Sequence, residues 1–329
     1  MKLILNRRRT LALLAAAPAL AVPGVRIRAQ ELKGPIRIIV GYPPGGTVDQ
    51  IARLYGDELR QSLGVAVVVE NRTGAGGQLA ADMLRSQPAD GSTLLVANNH
   101  MMSTLPLTTP AIKYDPVADF EPVSMLAIFE VVLAVSSALG ATRFAEYVEL
   151  VRRQPQRGAY GIPAPGSLPQ FIGYSIGQKE KLAMSSVPYR GAAPLVVDLL
   201  GGQIPAGILT YANDLLEHHR NGRLRILATS GARRLTALPS VPTFTELGYP
   251  GVSRSSWMGL FAPKGTPRAA VERLNKLVID AAARPALAEA ANRLGLTAAT
   301  SSADALRQSI REEIAVWAPV VKASGYTAD

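Results

Sequence analysis

The chain contains no cysteine. That removes a disulfide framework, a thiolate nucleophile, a cysteine-held zinc and a lipid-anchoring cysteine together. Histidine is almost as scarce, with only His100, His218 and His219. The adjacent pair cannot turn both rings to one metal from a helix, and no partner stands at ligand spacing, so no metal is expected. His218-His219 reads instead as the solvated end of a polar helix. No Gly-x-Ser-x-Gly elbow, no G-x-G-x-x-G turn and no Walker Gly-Lys-Ser/Thr occurs. A serine hydrolase and a nucleotide enzyme therefore lack their usual machinery; neither catalytic residues nor a cofactor are expected. Beyond Ala29 no apolar run reaches the ~18 residues of a membrane span. Glu130 and several serines interrupt the longest candidate, between Met125 and Leu139.

Excess charge is scarce too, once its location is considered. The whole chain carries 35 basic and 25 acidic residues, a net +10. Six of the basic residues fall in the first thirty positions, leaving 29 against 25, a net of +4. No basic stripe interleaves with aromatics, so a nucleic-acid partner is not expected. Those first positions read as an export signal: Lys2, Arg7, Arg8 and Arg9, then small and apolar residues from Thr10 to Val22, then Pro23, Gly24 and a cleavage zone near Ala29. Arg8-Arg9-Thr10-Leu11-Ala12-Leu13 fits a loose twin-arginine pattern, although an ordinary general-secretion signal with a basic start is the favoured reading. Either route implies an exported, soluble mature protein.

What remains is an alternation of short β-branched runs and longer amphipathic stretches. Ile36–Val40, Val65–Glu70 and Thr93–Ala97 read as strands; Thr47–Ser62 and Gln78–Ser86 read as helices between them. Residues 100–122 are irregular. Strands at Val131–Val135, Tyr160-Gly161, Ser185–Val187 and Arg225–Thr229 alternate with helices at 143–153, 168–180 and 192–200. The C-terminal part is helical, from Pro267 to Leu294 with a break at Pro285, then from Ala303 to Lys322, started by Ser301 or Ser302. The pattern predicts mostly parallel sheets flanked by helices. A length of 329 residues suits two domains.

Two loops carry the chemistry. Gly41-Tyr42-Pro43-Pro44-Gly45-Gly46-Thr47 joins a strand to a helix, with Thr47 as its expected N-cap. Arg72-Thr73-Gly74-Ala75-Gly76-Gly77 does the same one strand later. Glycines let the backbone approach a ligand, and helix-start amides favour an anion. A plain tight turn is the alternative reading of either loop alone; two in succession point to half of a carboxylate or phosphate cradle.

PPGGTVDQIAR, VVVENRTGAGG and ADGSTLLVAN, followed by VPYRGAAPLVVDLLGGQI, GRLRILATS, LPSVPTFTELG and WMGLFAPKGTP, resemble the tripartite tricarboxylate transporter substrate-binding proteins, the Bug family. The resemblance covers residues 35 to 325. It implies an α/β, two-lobed periplasmic binding protein of the Venus flytrap, type II-like class, each lobe a mixed, mostly parallel sheet flanked by helices. It implies a first lobe at 31–128 plus 254–329, a second at 129–253, and an export signal at 1–29. The implied role is capture of a small organic acid and delivery to a membrane permease of the tripartite tricarboxylate type; the protein is expected as a monomer. Docking on a membrane sensor is the second reading and an exported α/β enzyme the third.

The resemblance carries the ligand contacts onto Tyr42, Gly45, Gly46, Thr47 and Asp49 in the first loop and Ala75, Gly76 and Gly77 in the second. Asp49 is expected to order its loop rather than touch an anion. The second lobe contributes Ser167, Gln170, Tyr189, Gly191, Ala192 and Thr210; Arg190 reads as a surface residue. Gln170 stands where the family usually has histidine, and Pro205 where it has an acid. A neutral glutamine cannot become a cation. These departures imply a less polar pocket wall, suited to a monoacid or an aromatic acid.

Overall fold

The computed structural model describes residues 34–252 and 254–328; the export signal expected at 1–29 lies outside them. Two sheets organise the chain. It opens with β1 (Ile36–Val40), α1 (Thr47–Leu63), β2 (Val67–Asn71), α2 (Gln78–Arg85) and β3 (Thr93–Asn98). β1 lies between β2 and β3 and is parallel to both, the arrangement that helical crossovers require. Along β1, Ile36, Ile38 and Val40 enter one apolar core while Ile39 enters another on the opposite face. α1 buries Val48, Ile51, Ala52, Tyr55 and Leu59, a stripe at helical spacing, and ends at Gly64 in the left-handed conformation.

After β3 the stretch expected to be irregular forms a π-helical turn, His100–Thr104, and a short helix, α3 (Leu105–Thr108). Tyr114 then buries itself edge-on against Phe120. β4 (Phe120–Phe129) follows and hands the chain to β5 (Val131–Ser136), the first strand of the second sheet. That sheet is completed by α4 (Phe144–Arg153), β6 (Ala159–Ile162), α5 (Leu168–Glu180), β7 (Ser185–Pro188), α6 (Ala192–Leu200), β8 (Ala206–Thr210), α7 (Asn213–Arg220) and β9 (Leu224–Thr229). The chain then returns through β10 (Ser256–Pro263) to the first sheet and closes with α8 (Arg268–Ala282), α9 (Pro285–Arg293), β11 (Thr297–Ala298) and α10 (Ala303–Ser324).

The strand orders are β11-β4-β10-β3-β1-β2 and β7-β6-β8-β5-β9. Both sheets are more evenly mixed than the alternation implied. Among the strands of the described residues, parallel pairing joins only β1–β3 and β6–β8. β10 runs antiparallel to β3 and β4, and β5 antiparallel to β8 and β9. The reversed strands include β5 and β10, each of which follows a crossing between the sheets, whereas β4 keeps the direction of β1–β3.

Two connections cross between the sheets, at Glu130 and just before Ser256. Glu130 binds them together: its carboxylate accepts hydrogen bonds from Ser230 Oγ and Ser255 Oγ, both at 2.6 Å. α10 joins the sheets a third time. Ser302 caps it, accepting from the Ala305 amide at 3.1 Å. Leu306 and Ile310 pack in a core of the first sheet, whereas Trp317 and Val321 pack in a core of the second, where Trp317 faces Phe171. Within the expected first-lobe segment 254–329, this helix thus serves both cores. Among the described residues no helix is long and apolar enough to cross a membrane.

Candidate functional site

Because β1, β2 and β3 are mutually parallel, their carboxyl ends share one edge, the usual ligand side of an open α/β sheet. The loop after β1 and the loop after β2 meet there. A Cβ built on Gly41 would lie 2.8 Å from Gly77 Cα, so only glycine permits this approach. Asn71 fastens the contact, donating to the Tyr42 carbonyl at 3.0 Å and to Asp49 Oδ1 at 2.8 Å.

Asp49 is buried and faces the protein. Besides Asn71, it accepts from the Gly45 amide at 2.9 Å and Arg53 Nε at 3.0 Å. Burial pushes its pKa up, but Arg53, the Gly45 amide and Asn71 outweigh burial and leave it below the ordinary carboxylate range. The one acid of this loop is therefore ionised and turned to its own backbone. Gly45 takes a φ of 80°, and Gly46, not Thr47, occupies the N-cap position of α1. Thr47 is the first helical residue, and no side chain caps the helix start. Tyr42 donates its hydroxyl to Asn98 Oδ1 at 2.8 Å, and burial raises its pKa.

In the second loop four successive residues have positive φ: Gly74 at 141°, Ala75 at 45°, Gly76 at 66° and Gly77 at 106°. For Ala75 this is a strained conformation. Gly77 is the N-cap of α2, again without a side-chain cap. The two helix starts thus leave first-turn amides without side-chain partners, beside backbone with no Cβ at the glycines to obstruct a ligand.

The second sheet repeats the arrangement. β6 is parallel to β7 and β8, so the loops after all three share an edge. Ser167 is the N-cap of α5, yet its Oγ donates to the Ala164 carbonyl at 2.6 Å rather than capping. Gln170 Oε1 accepts from the Gly166 amide at 2.7 Å and so pins the loop. The Gly191 amide is taken by the Pro163 carbonyl at 3.0 Å, which ties this loop to the next. Tyr189 donates to Asp198 Oδ2 at 2.8 Å; burial, then Asp198, push its pKa up to about 12. Ala192 opens α6 behind an uncapped Gly191, and Thr210 ends β8 opposite Val131. Arg190 is exposed.

The residues nominated from sequence therefore gather as two groups, one per sheet edge. The segment His100–Thr108 lies between them. A Cβ on Gly76 would meet Leu105 at 3.0 Å and His100 Nε2 at 3.7 Å; one on Gly166 would meet Thr108 Oγ1 at 3.1 Å. This segment was not nominated. Its signal was the position of Asn98, Asn99 and His100 at the end of the third parallel strand. A cavity of about 510 Å³ between α3 and α10, lined by Leu107, Tyr114 and Ile314 among others, is lined by none of the nominated residues.

Residues 51–326 match the family described as tripartite tricarboxylate transporter family receptor. The chain belongs to that family. This receptor is 37% identical to BugT of Bordetella pertussis over 292 residues, 88% of this chain and 89% of BugT. Its fold is that of the solved periplasmic receptors. MatC of Rhodopseudomonas palustris with bound malate superposes at a TM-score of 0.75 with 28% identity, over 88% of this chain and 99% of that one. R. palustris Rpa4515 with adipate superposes at 0.78 with 29% identity, over 90% and 99%. The family is one of solute receptors, not of enzymes.

Proposed function

We propose that the receptor captures a small organic carboxylate between two lobes, 31–128 plus 254–329 and 129–253, in the periplasm, and hands it to a membrane permease of the tripartite tricarboxylate type. One observation carries the reading. The two glycine loops of the first edge touch, start uncapped helices, and keep their only acid, Asp49, turned away and paired. Such a surface attracts a carboxylate through backbone N–H groups. Malate and adipate in the two structural relatives support the same ligand class. Tyr42, Gly45, Gly46, Thr47, Ala75, Gly76 and Gly77 form the first grip. Ser167, Gln170, Tyr189, Gly191, Ala192 and Thr210 border the far side of the ligand.

The far side selects. Gln170 spends its oxygen on Gly166 and leaves its amide protons for a ligand. Tyr189 and Gly191 are already engaged within the protein. An uncharged wall of this kind suits an acid whose second end is uncharged or aromatic. A thermal-shift screen of refolded protein against mono-, di-, tri- and aromatic carboxylates tests the reading. Ligand at about 100 times its dissociation constant adds ~2.7 kcal/mol, a midpoint rise of several degrees. A rise confined to one class of acid names the substrate class; no rise with any acid removes the carboxylate assignment.

A further inference from the structure

The first two loops of the glycine edge offer backbone donors; the third parallel strand, β3, offers side chains. Its exit runs Asn98, Asn99, His100. Asn98 Oδ1 accepts from both Tyr42 Oη at 2.8 Å and the Met101 amide at 3.1 Å. This fixes the start of the π-helical turn against the first loop. Met101 is fixed in turn by the second loop, since a Cβ on Gly77 would lie 2.7 Å from its sulfur. Met101, Met102, Ser103 and Thr104 are all buried, and His100 alone of that turn keeps exposed surface. Its ring lies against Gly76, with Nε2 towards the glycine loop.

Nδ1 stands 2.9 Å from Thr104 Oγ1, and the same hydroxyl is 3.5 Å from the His100 carbonyl. The hydroxyl can give its proton to Nδ1, the shorter of the two contacts, or accept one from it. In the first arrangement Nδ1 accepts and the ring hydrogen resides on Nε2. No acceptor for Nε2 appears among the described residues. Burial also pulls the ring's pKa down to about 4, with no charged side chain contributing. The group is therefore a neutral donor at any pH near neutrality.

We propose that His100 is a ligand-contact residue of this receptor: Nε2–H donates to the carboxylate held by the glycine loops, and Thr104 fixes the tautomer that makes this possible. The inference rests on the carboxylate reading above and adds a side-chain donor to a grip otherwise made of backbone. A neutral imidazole gives direction without charge, so it rewards an oxygen in the right place rather than total ligand charge.

The test uses the mature protein with adipate, malate and benzoate as probes. In the ligand-free protein, long-range ¹H–¹⁵N correlation at pH 7 shows His100 with its proton on Nε2; a proton on Nδ1 overturns the proposal. With a saturating probe the Nε2–H resonance moves. His100→Phe keeps a ring against Gly76 and removes the donor, weakening binding by roughly ten- to a hundred-fold, the range of a hydrogen bond to a charged group. His100→Gln restores an N–H and recovers part of the loss. Thr104→Val leaves the ligand untouched but mixes the tautomers, and weakens binding in proportion to the Nδ1–H fraction. Undiminished binding by His100→Phe, with wild type binding normally, removes the His100 assignment and leaves the carboxylate reading standing. Failure of every carboxylate to bind wild type removes both.

Discussion

Asp49 is the residue on which the first loop depends. Its carboxylate holds the Gly45 amide, Asn71 and Arg53 together. Asp49→Asn keeps the shape, removes the charge, and sets an amide against donors. We expect a loss of about 2 kcal/mol, kept modest because Arg53 is half exposed. Urea unfolding would measure it, and calorimetric titration would show weaker ligand binding even though Asp49 faces its own loop. Unchanged affinity would mean the loop keeps its form without this anchor. Because the folded pKa is depressed, the stabilisation is present above the ordinary carboxylate range and lost as pH falls through the folded value. That Asp49 orders its loop was legible in the sequence from its place in the first turn. That Gly46 rather than Thr47 takes the cap position was not, since a threonine after two glycines resembles a cap until the backbone angles are known. His100 was not legible as a ligand contact because one histidine, without spaced partners, carries no pattern; its proximity to Gly76 appears only in the fold.

Among the elements, most helices and the strands β1, β2, β3, β5, β6, β7 and β9 were readable, whereas β4, β8 and β10 were not. β1, β2 and β3 announce themselves by β-branched runs between amphipathic stretches. β10 is buried along its whole length, SWMGLFAP, so it shows no alternation of period two. β4 carries a proline and a serine within a long strand, and β8 is short and contains glycine. These strands are specified by distant partners rather than by local pattern. Local packing also sets limits that no periodicity reveals. A Cβ on Gly173 in α5 would fall 2.2 Å from Tyr160 Cζ, and Tyr160 donates to the Gln170 carbonyl at 2.8 Å. Gly173→Ala should therefore cost about 1–3 kcal/mol through overpacking, against the stabilisation that alanine normally brings to a helix. A variant that melts higher than wild type would show that Tyr160 moves aside freely. The displaced ring would also disturb the Gln170 segment, linking a buried glycine to ligand preference.

At the scale of the whole molecule, α10 and the Glu130 crossing hold the two sheets in register. α10 carries a buried acid, Glu313, which accepts from Ser103 Oγ at 3.0 Å and Asn99 Nδ2 at 3.4 Å. Burial raises its pKa to about 7, against the pull of those two donors. Between the unfolded value near 4.5 and about 7, the folded chain therefore holds a proton that the unfolded chain has released. Stability falls across that window, by up to ~3 kcal/mol, and is flat above it on this account. Glu313→Gln should match wild type near pH 4.5 and exceed it by up to that amount at pH 8; thermal unfolding at both pH values measures the difference. Parallel pH profiles for the two proteins would show that Glu313 stays ionised when folded.

The position of β10 has a consequence for the birth of the protein. The strand lies between β3 and β4 in the first sheet but is encoded about a hundred and fifty residues after β3. While the ribosome is still making the second sheet, the first lacks its middle strand, and the facing edges of β3 and β4 have nothing to pair with. The growing chain therefore cannot lock into its final form early. A chain that folds late remains threadable for longer, and it is also exposed for longer to proteases and to wrong strand partners. Both conditions last at least until Ser256–Pro263 has been made and can pair with β3 and β4.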